Sequence, residues 1–111
     1  MGGEIIELTK ENYQEEVNNS DRPVVVDFWG PRCAPCMALL PEFEKMAASY
    51  GDQIKFCKLN SANNRRLCIE LKVMALPTFL FYQGGEVVAT LSGNEATKEN
   101  IVAELDSLLG K

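Results

Sequence analysis

The stretch VVVDFWGPRCAPCMALLPEF, residues 24–43, sets an aspartate inside an apolar β-branched run and follows it with two cysteines separated only by Ala34 and Pro35. Residues 23–29 are apolar on both faces of an extended chain, the pattern of a central strand covered from both sides. The Gly-Pro-Arg that follows turns the chain. From Cys33 onward Met37, Leu40, Phe43, Met46, Ala47 and Tyr50 recur at three- and four-residue spacing, which predicts a helix with those residues on its buried face. Pro35 suits the first turn, where a missing N–H costs nothing. Pro41 falls inside and should kink the helix, and Gly51 should close it.

Working outward, residues 4–8 read as a short first strand and residues 9–20 as a short amphipathic helix. Thr9 is its N-cap, Asn12 stands in place of the usual acidic third residue, and Tyr13 and Val17 share a face. Residues 53–60 predict another strand, and 61–72 a helix capped by Ser61. Residues 77–93 contain two strands joined at Gln83-Gly84-Gly85, a tight hairpin, and the chain ends in an amphipathic helix with Ile101, Leu105 and Leu108 on one stripe. Helical crossovers between the early strands require parallel neighbours, and the hairpin must be antiparallel. The expected fold is α/β: a three-layer sandwich with a mixed sheet between helices, formed by one domain spanning 1–111. The cysteine pair then lies where a central strand hands over to its helix, where open α/β sheets place their sites.

The composition narrows the function. The chain carries sixteen acidic and eleven basic side chains, net charge −5, with the basic residues scattered. No basic stripe marks a nucleic-acid or anionic-membrane surface, and no apolar run is long enough to span a bilayer. The first ten residues lack the basic-then-apolar pattern of a secretory signal, so a cytoplasmic location is the expectation. There is no histidine, which removes imidazole-based nucleophile activation and imidazole zinc ligands.

Three readings of Cys33 and Cys36 compete. A disulfide closing so short a loop stabilises a fold little in the chain-entropy model. A tetrathiolate metal site would need Cys57 and Cys68, which are not a second such pair and have the apolar neighbours of free buried thiols. Electron transfer fits best. Cys33 stands at the helix start, where unpaired N–H groups and the helix dipole stabilise a thiolate, so it is the nucleophile. Cys36, one turn in, is the resolving thiol. Arg32 either tunes that thiol and selects acidic partners, or is a screened loop charge. Asp27, buried mid-strand, should have a raised pKa and is placed to act as general base for Cys36. Lys58 is either its electrostatic partner or a solvated strand-end lysine. Pro77, from spacing alone, starts a strand.

IIELT, VVVDFW, CAPC with a proline five residues later, KLN, V then PT, FYQGGEVV and the C-terminal helix together resemble the thioredoxin family, in its order and over almost the whole chain. The resemblance implies a five-stranded sheet in the order 1-3-2-4-5 flanked by four helices, and a monomer that reduces protein disulfides without a cofactor or metal. It implies recycling by a flavoprotein thioredoxin reductase. It marks Cys33 as nucleophile, Cys36 as resolving thiol, Asp27 as proton acceptor and Lys58 as its partner. It implies a cis Pro77 facing the disulfide, Leu76 offering backbone hydrogen bonds to an extended substrate, and Trp29 and Gly93 lining the substrate surface. Where the family usually reads WCGPC this chain reads RCAPC, with Gly30 and Pro31 also in place of other residues. Arg32 thus replaces an apolar contact plate with charge. That leaves two alternatives beside a reductase: an oxidase or isomerase of raised potential, and a redox-gated or metal-holding binding module.

Overall fold

The computed structural model describes residues 3–111. In chain order the elements are β1 (Ile5–Glu7), a π-helical segment (Gln14–Asn18), β2 (Val24–Trp29), α1 (Ala34–Tyr50), β3 (Lys55–Asn60), a 3₁₀ turn (Ser61–Asn63), α2 (Arg65–Glu70), β4 (Thr78–Gln83), β5 (Glu86–Ser92), a second 3₁₀ turn (Gly93–Glu95) and α3 (Lys98–Leu108). The sheet order is β1-β3-β2-β4-β5, with β2 in the middle as its two-sided apolar pattern requires. β1 and β2 pair parallel to β3; β4 runs antiparallel to β2, and β5 to β4. This is the thioredoxin-like sandwich, its sheet flanked by four helical segments.

Side-chain alternation divides the core. Val25 packs with Phe43, Met46 and Ala47 of α1 and with Ile101 and Leu105 of α3 on one face. Val24, Val26 and Phe28 pack with Tyr13, Val17 and Cys68 on the other. Burying one such phenylalanine contributes roughly 1.5–3 kcal/mol. Polar ties fix the layers: Tyr50 Oη donates to Asp106 Oδ1 at 2.8 Å between α1 and α3. Lys55 Nζ reaches the Glu16 carboxylate and carbonyl, each at 3.0 Å. The Tyr13 and Tyr82 hydroxyls are hydrogen-bonded in the core.

Several boundaries differ from the sequence reading, each for a local reason. Thr9 does not cap the helical segment, whose N-cap is Tyr13 with no side-chain bond; its Oγ1 accepts from the Glu11 and Asn12 amides while Asn12 Oδ1 accepts from Thr9 N, closing a turn ahead of the helix. The helix beyond it is a short π segment rather than a run to residue 20. Met37 is exposed, so the buried face of α1 begins with Cys36 and Leu39. The helix expected over 61–72 is broken at Asn64: Asn60, not Ser61, caps the 3₁₀ turn, and α2 starts after Asn64 without a side-chain cap. Asn60 Oδ1 accepts from Ala62 N at 3.0 Å, and Asn64 Nδ2 donates to the Asn60 carbonyl at 2.9 Å. Side-chain amides capture backbone groups that a longer helix would have used. α1 continues across Pro41 to Gly51, whose N–H donates to the Ala47 carbonyl from ordinary right-handed helical backbone.

Candidate active site

The β2–α1 junction brings the two sulfurs together. Cys33 is the N-cap of α1, in extended backbone, and Pro35 occupies the first turn. Cys33 and Cys36 are joined as a disulfide with Cα atoms 5.3 Å apart, and Cys33 Sγ accepts the Cys36 amide N–H at 3.2 Å. The two sulfurs differ in access. Cys33 is half-buried, whereas Cys36 is 2% exposed. An incoming thiolate or disulfide therefore meets Cys33 first, at a helix N-terminus whose dipole and Cys36 N–H favour negative charge on sulfur.

Asp27 is 1% exposed and lies on the sheet face that α1 covers, as alternation from Val25 dictates. Burial raises its pKa from 3.8 to about 7, and the charge of Lys58 pulls in the opposite direction. Lys58 is in register with Asp27 on the neighbouring strand rather than at the strand end. Its ammonium is 3.9 Å from Glu7 Oε1 and 6.0 Å from the Trp29 ring centroid. Among the described residues Asp27 Oδ2, Trp29 Nε1 and Ser61 Oγ are buried without a hydrogen-bond partner. A carboxyl titrating near neutrality can exchange a proton at physiological pH, which an ordinary surface aspartate cannot.

The Leu76–Pro77 peptide is cis. Pro77 is buried, and its carbonyl accepts the N–H of Gly93 at 2.9 Å, so the loop before β4 is tied to the end of β5. Gly93 has φ +59, a conformation glycine adopts without strain. Thr78 Oγ1 donates to the Ala75 carbonyl at 2.6 Å and is 3.2 Å from Ser92 Oγ, closing the same loop. Gly30 lets this loop approach, since a methyl there would come within 3.1 Å of Leu76 Cδ1.

A groove of about 850 Å³ opens beside Cys33. Of the catalytic and substrate-binding candidates from the sequence it gathers Arg32, Cys33 and Leu76; Trp29, Pro77 and Gly93 do not line it. It also takes in Arg65, Ile69 and Met74, which the sequence reading did not single out. Met74 is 81% and Ile69 65% exposed, unusual for large apolar side chains. Their signal was an apolar residue breaking a polar helix face and a methionine just before Ala-Leu-Pro. Cys57 and Cys68 are free and buried, and burial pushes the Cys57 thiol up to about 12, so it stays protonated. Among the described residues no three Cys, Asp or Glu side chains converge as a metal site.

Fold and dithiol geometry together define a thiol–disulfide oxidoreductase. The family model described as Thioredoxin matches residues 4–107, and the chain belongs to the thioredoxin family. It is 37% identical over 110 residues to the thioredoxin of Peptoclostridium acidaminophilum, covering 99% of this chain and 100% of that one. It is 39% identical over 99 residues to the thioredoxin of Acetoanaerobium sticklandii, covering 89% and 94%. The crystal structure of thioredoxin f from spinach chloroplast, short form, superposes with a TM-score of 0.87 at 30% identity, covering 96% and 95%. Among the described residues no helix is long and apolar enough to cross a membrane.

Proposed function

We propose that this thiol–disulfide oxidoreductase works as a reductase of protein disulfides. The observation that carries this reading is the asymmetry of the pair, an accessible Cys33 at a helix N-terminus backed by a buried Cys36. In the reduced protein, the Cys33 thiolate attacks one sulfur of a substrate disulfide. The substrate S–S bond breaks, a Cys33–substrate bond forms, and the departing substrate sulfur takes up a proton. Cys36 then gives its proton to Asp27 and attacks Cys33 Sγ. The mixed disulfide breaks, the second substrate sulfur leaves and is protonated, and the Cys33–Cys36 disulfide closes. Two electrons have passed to the substrate, and its two protons come one from Cys36 by way of Asp27 and one from solvent, which took the Cys33 proton when the thiolate formed.

Lys58 moderates the Asp27 charge in this scheme. The backbone of Leu76 and the cis Pro77 hold the substrate strand, with Trp29, Arg32 and Gly93 bordering it. A flavoprotein thioredoxin reductase returns the electrons, and the protein acts in the cytoplasm as a monomer. Replacing Cys36 with serine removes the resolving step, so incubation with a disulfide substrate should accumulate a covalent adduct that dithiothreitol releases. Cys33→Ser should form none. An adduct on Cys36 in the Cys33→Ser protein, or none on Cys33 in the Cys36→Ser protein, overturns the assignment.

A further inference from the structure

The chain has sixteen acidic and eleven basic side chains, yet the groove beside Cys33 is lined by two arginines and by no aspartate or glutamate. Arg32 comes from the β2–α1 junction and Arg65 from the start of α2, so only the fold unites them. Both are exposed, and among the described residues neither is within 4.0 Å of a carboxylate, whereas Lys45, Lys55, Lys58 and Lys98 each are. The exposed side chains of Ile69 and Met74 and the half-buried Leu76 line the same groove. The groove is thus mainly apolar, with two exposed guanidiniums that hold no carboxylate among the described residues. A guanidinium matches a carboxylate through two parallel hydrogen bonds, a geometry lysine does not offer.

We propose that this groove selects protein disulfides whose chain carries an aspartate or glutamate within a few residues of the attacked cysteine, with Arg32 and Arg65 acting together as the selecting pair. The inference rests on the reductase function proposed above. The apolar side chains supply contact that tolerates many sequences, and the two cations supply discrimination. A basic residue in the same place meets like charge and is disfavoured. Arg32 therefore acts on docking, and its partner Arg65 should share the effect although it is remote from the thiol in sequence.

Two disulfide peptides identical except for Glu or Lys near the cysteine provide the test. The ratio of kcat/KM, Glu over Lys, should be about 3- to 10-fold at low ionic strength and shrink as salt passes about 0.15 M, since rim charges are screened. Arg32→Glu and Arg65→Glu should each collapse or invert the ratio, and Arg65→Gln should lower it part of the way. Affinities of the same peptides with serine for cysteine, measured on the oxidised protein, separate docking from turnover. If neither peptide is reduced but the Glu form still binds more tightly and charge reversal inverts the order, the selection stands and the reductase reading falls. Equal kcat/KM and equal affinity for the two peptides, unchanged by either reversal, overturn the selection while leaving disulfide reduction untouched.

Discussion

At the residue scale Asp27 is the most informative position, because one carboxyl couples proton chemistry to stability. Its pKa rises from 3.8 to about 7 on burial, so the folded protein binds the proton more tightly than the unfolded chain. Stability must then fall as pH rises through that window and stay lowered above it. Asp27→Asn removes the penalty. Urea unfolding should show the variant more stable above pH 7, by up to about 4 kcal/mol, with the gain vanishing near pH 4. No gain at pH 8 would contradict the burial of a charge. In the mechanism proposed above the same group also takes the Cys36 proton. Resolution of the mixed disulfide by the wild type should accelerate through about pH 7, and Asp27→Asn should be slower by at least about tenfold and lack that inflection. Stopped-flow release of substrate from the Cys33 adduct measures it. The burial was legible in the sequence from valines and aromatics flanking a charge. The register with Lys58 was not, since it depends on how β3 slides along β2.

At the scale of elements, legibility followed the range of the interactions. β2, α1 and the β4–β5 hairpin were readable because each rests on neighbours within a few residues. The hairpin turn has Gly84 at φ +64 and Gly85 at φ +81, as a two-residue turn of that kind demands. The two glycines nonetheless differ in their surroundings. A Cβ at Gly84 meets open space, whereas one at Gly85 would sit 2.7 Å from the Asn18 carbonyl oxygen of the π segment. Gly84→Asn should therefore cost less than about 1 kcal/mol and Gly85→Ala at least about 2 kcal/mol in urea unfolding. Equal effects would deny the contact between turn and π segment. The region 61–76 was read least well. There Asn60 and Asn64 redirect the backbone, and the result carries Arg65, Ile69 and Met74 to the groove beside Cys33. Spacing within the helix reports which residues share a face, not which distant loop that face will meet.

At the scale of the whole molecule, two clusters on opposite faces of one sheet share β2 and β3, so neither is complete alone. The chain should unfold as one domain, with Trp29 fluorescence and far-ultraviolet circular dichroism tracing coincident transitions in urea. Separate midpoints would contradict a single domain. Across this scaffold the chemistry reduces to a question of direction, because the same dithiol can give or take electrons and about 30 mV corresponds to about 1.4 kcal/mol. A cation that stabilised the Cys33 thiolate would favour the reduced form and raise the potential, so the potential also tells whether Arg32 acts on the sulfur or on docking alone. The most direct test is a titration of the Cys33–Cys36 couple against dithiol buffers, read by Trp29 fluorescence, with Cys33→Ser as the control that should show no transition. A reductase requires a potential near the roughly −270 mV of thioredoxin. A value of about −180 to −120 mV would contradict the account and make the protein an oxidant or isomerase.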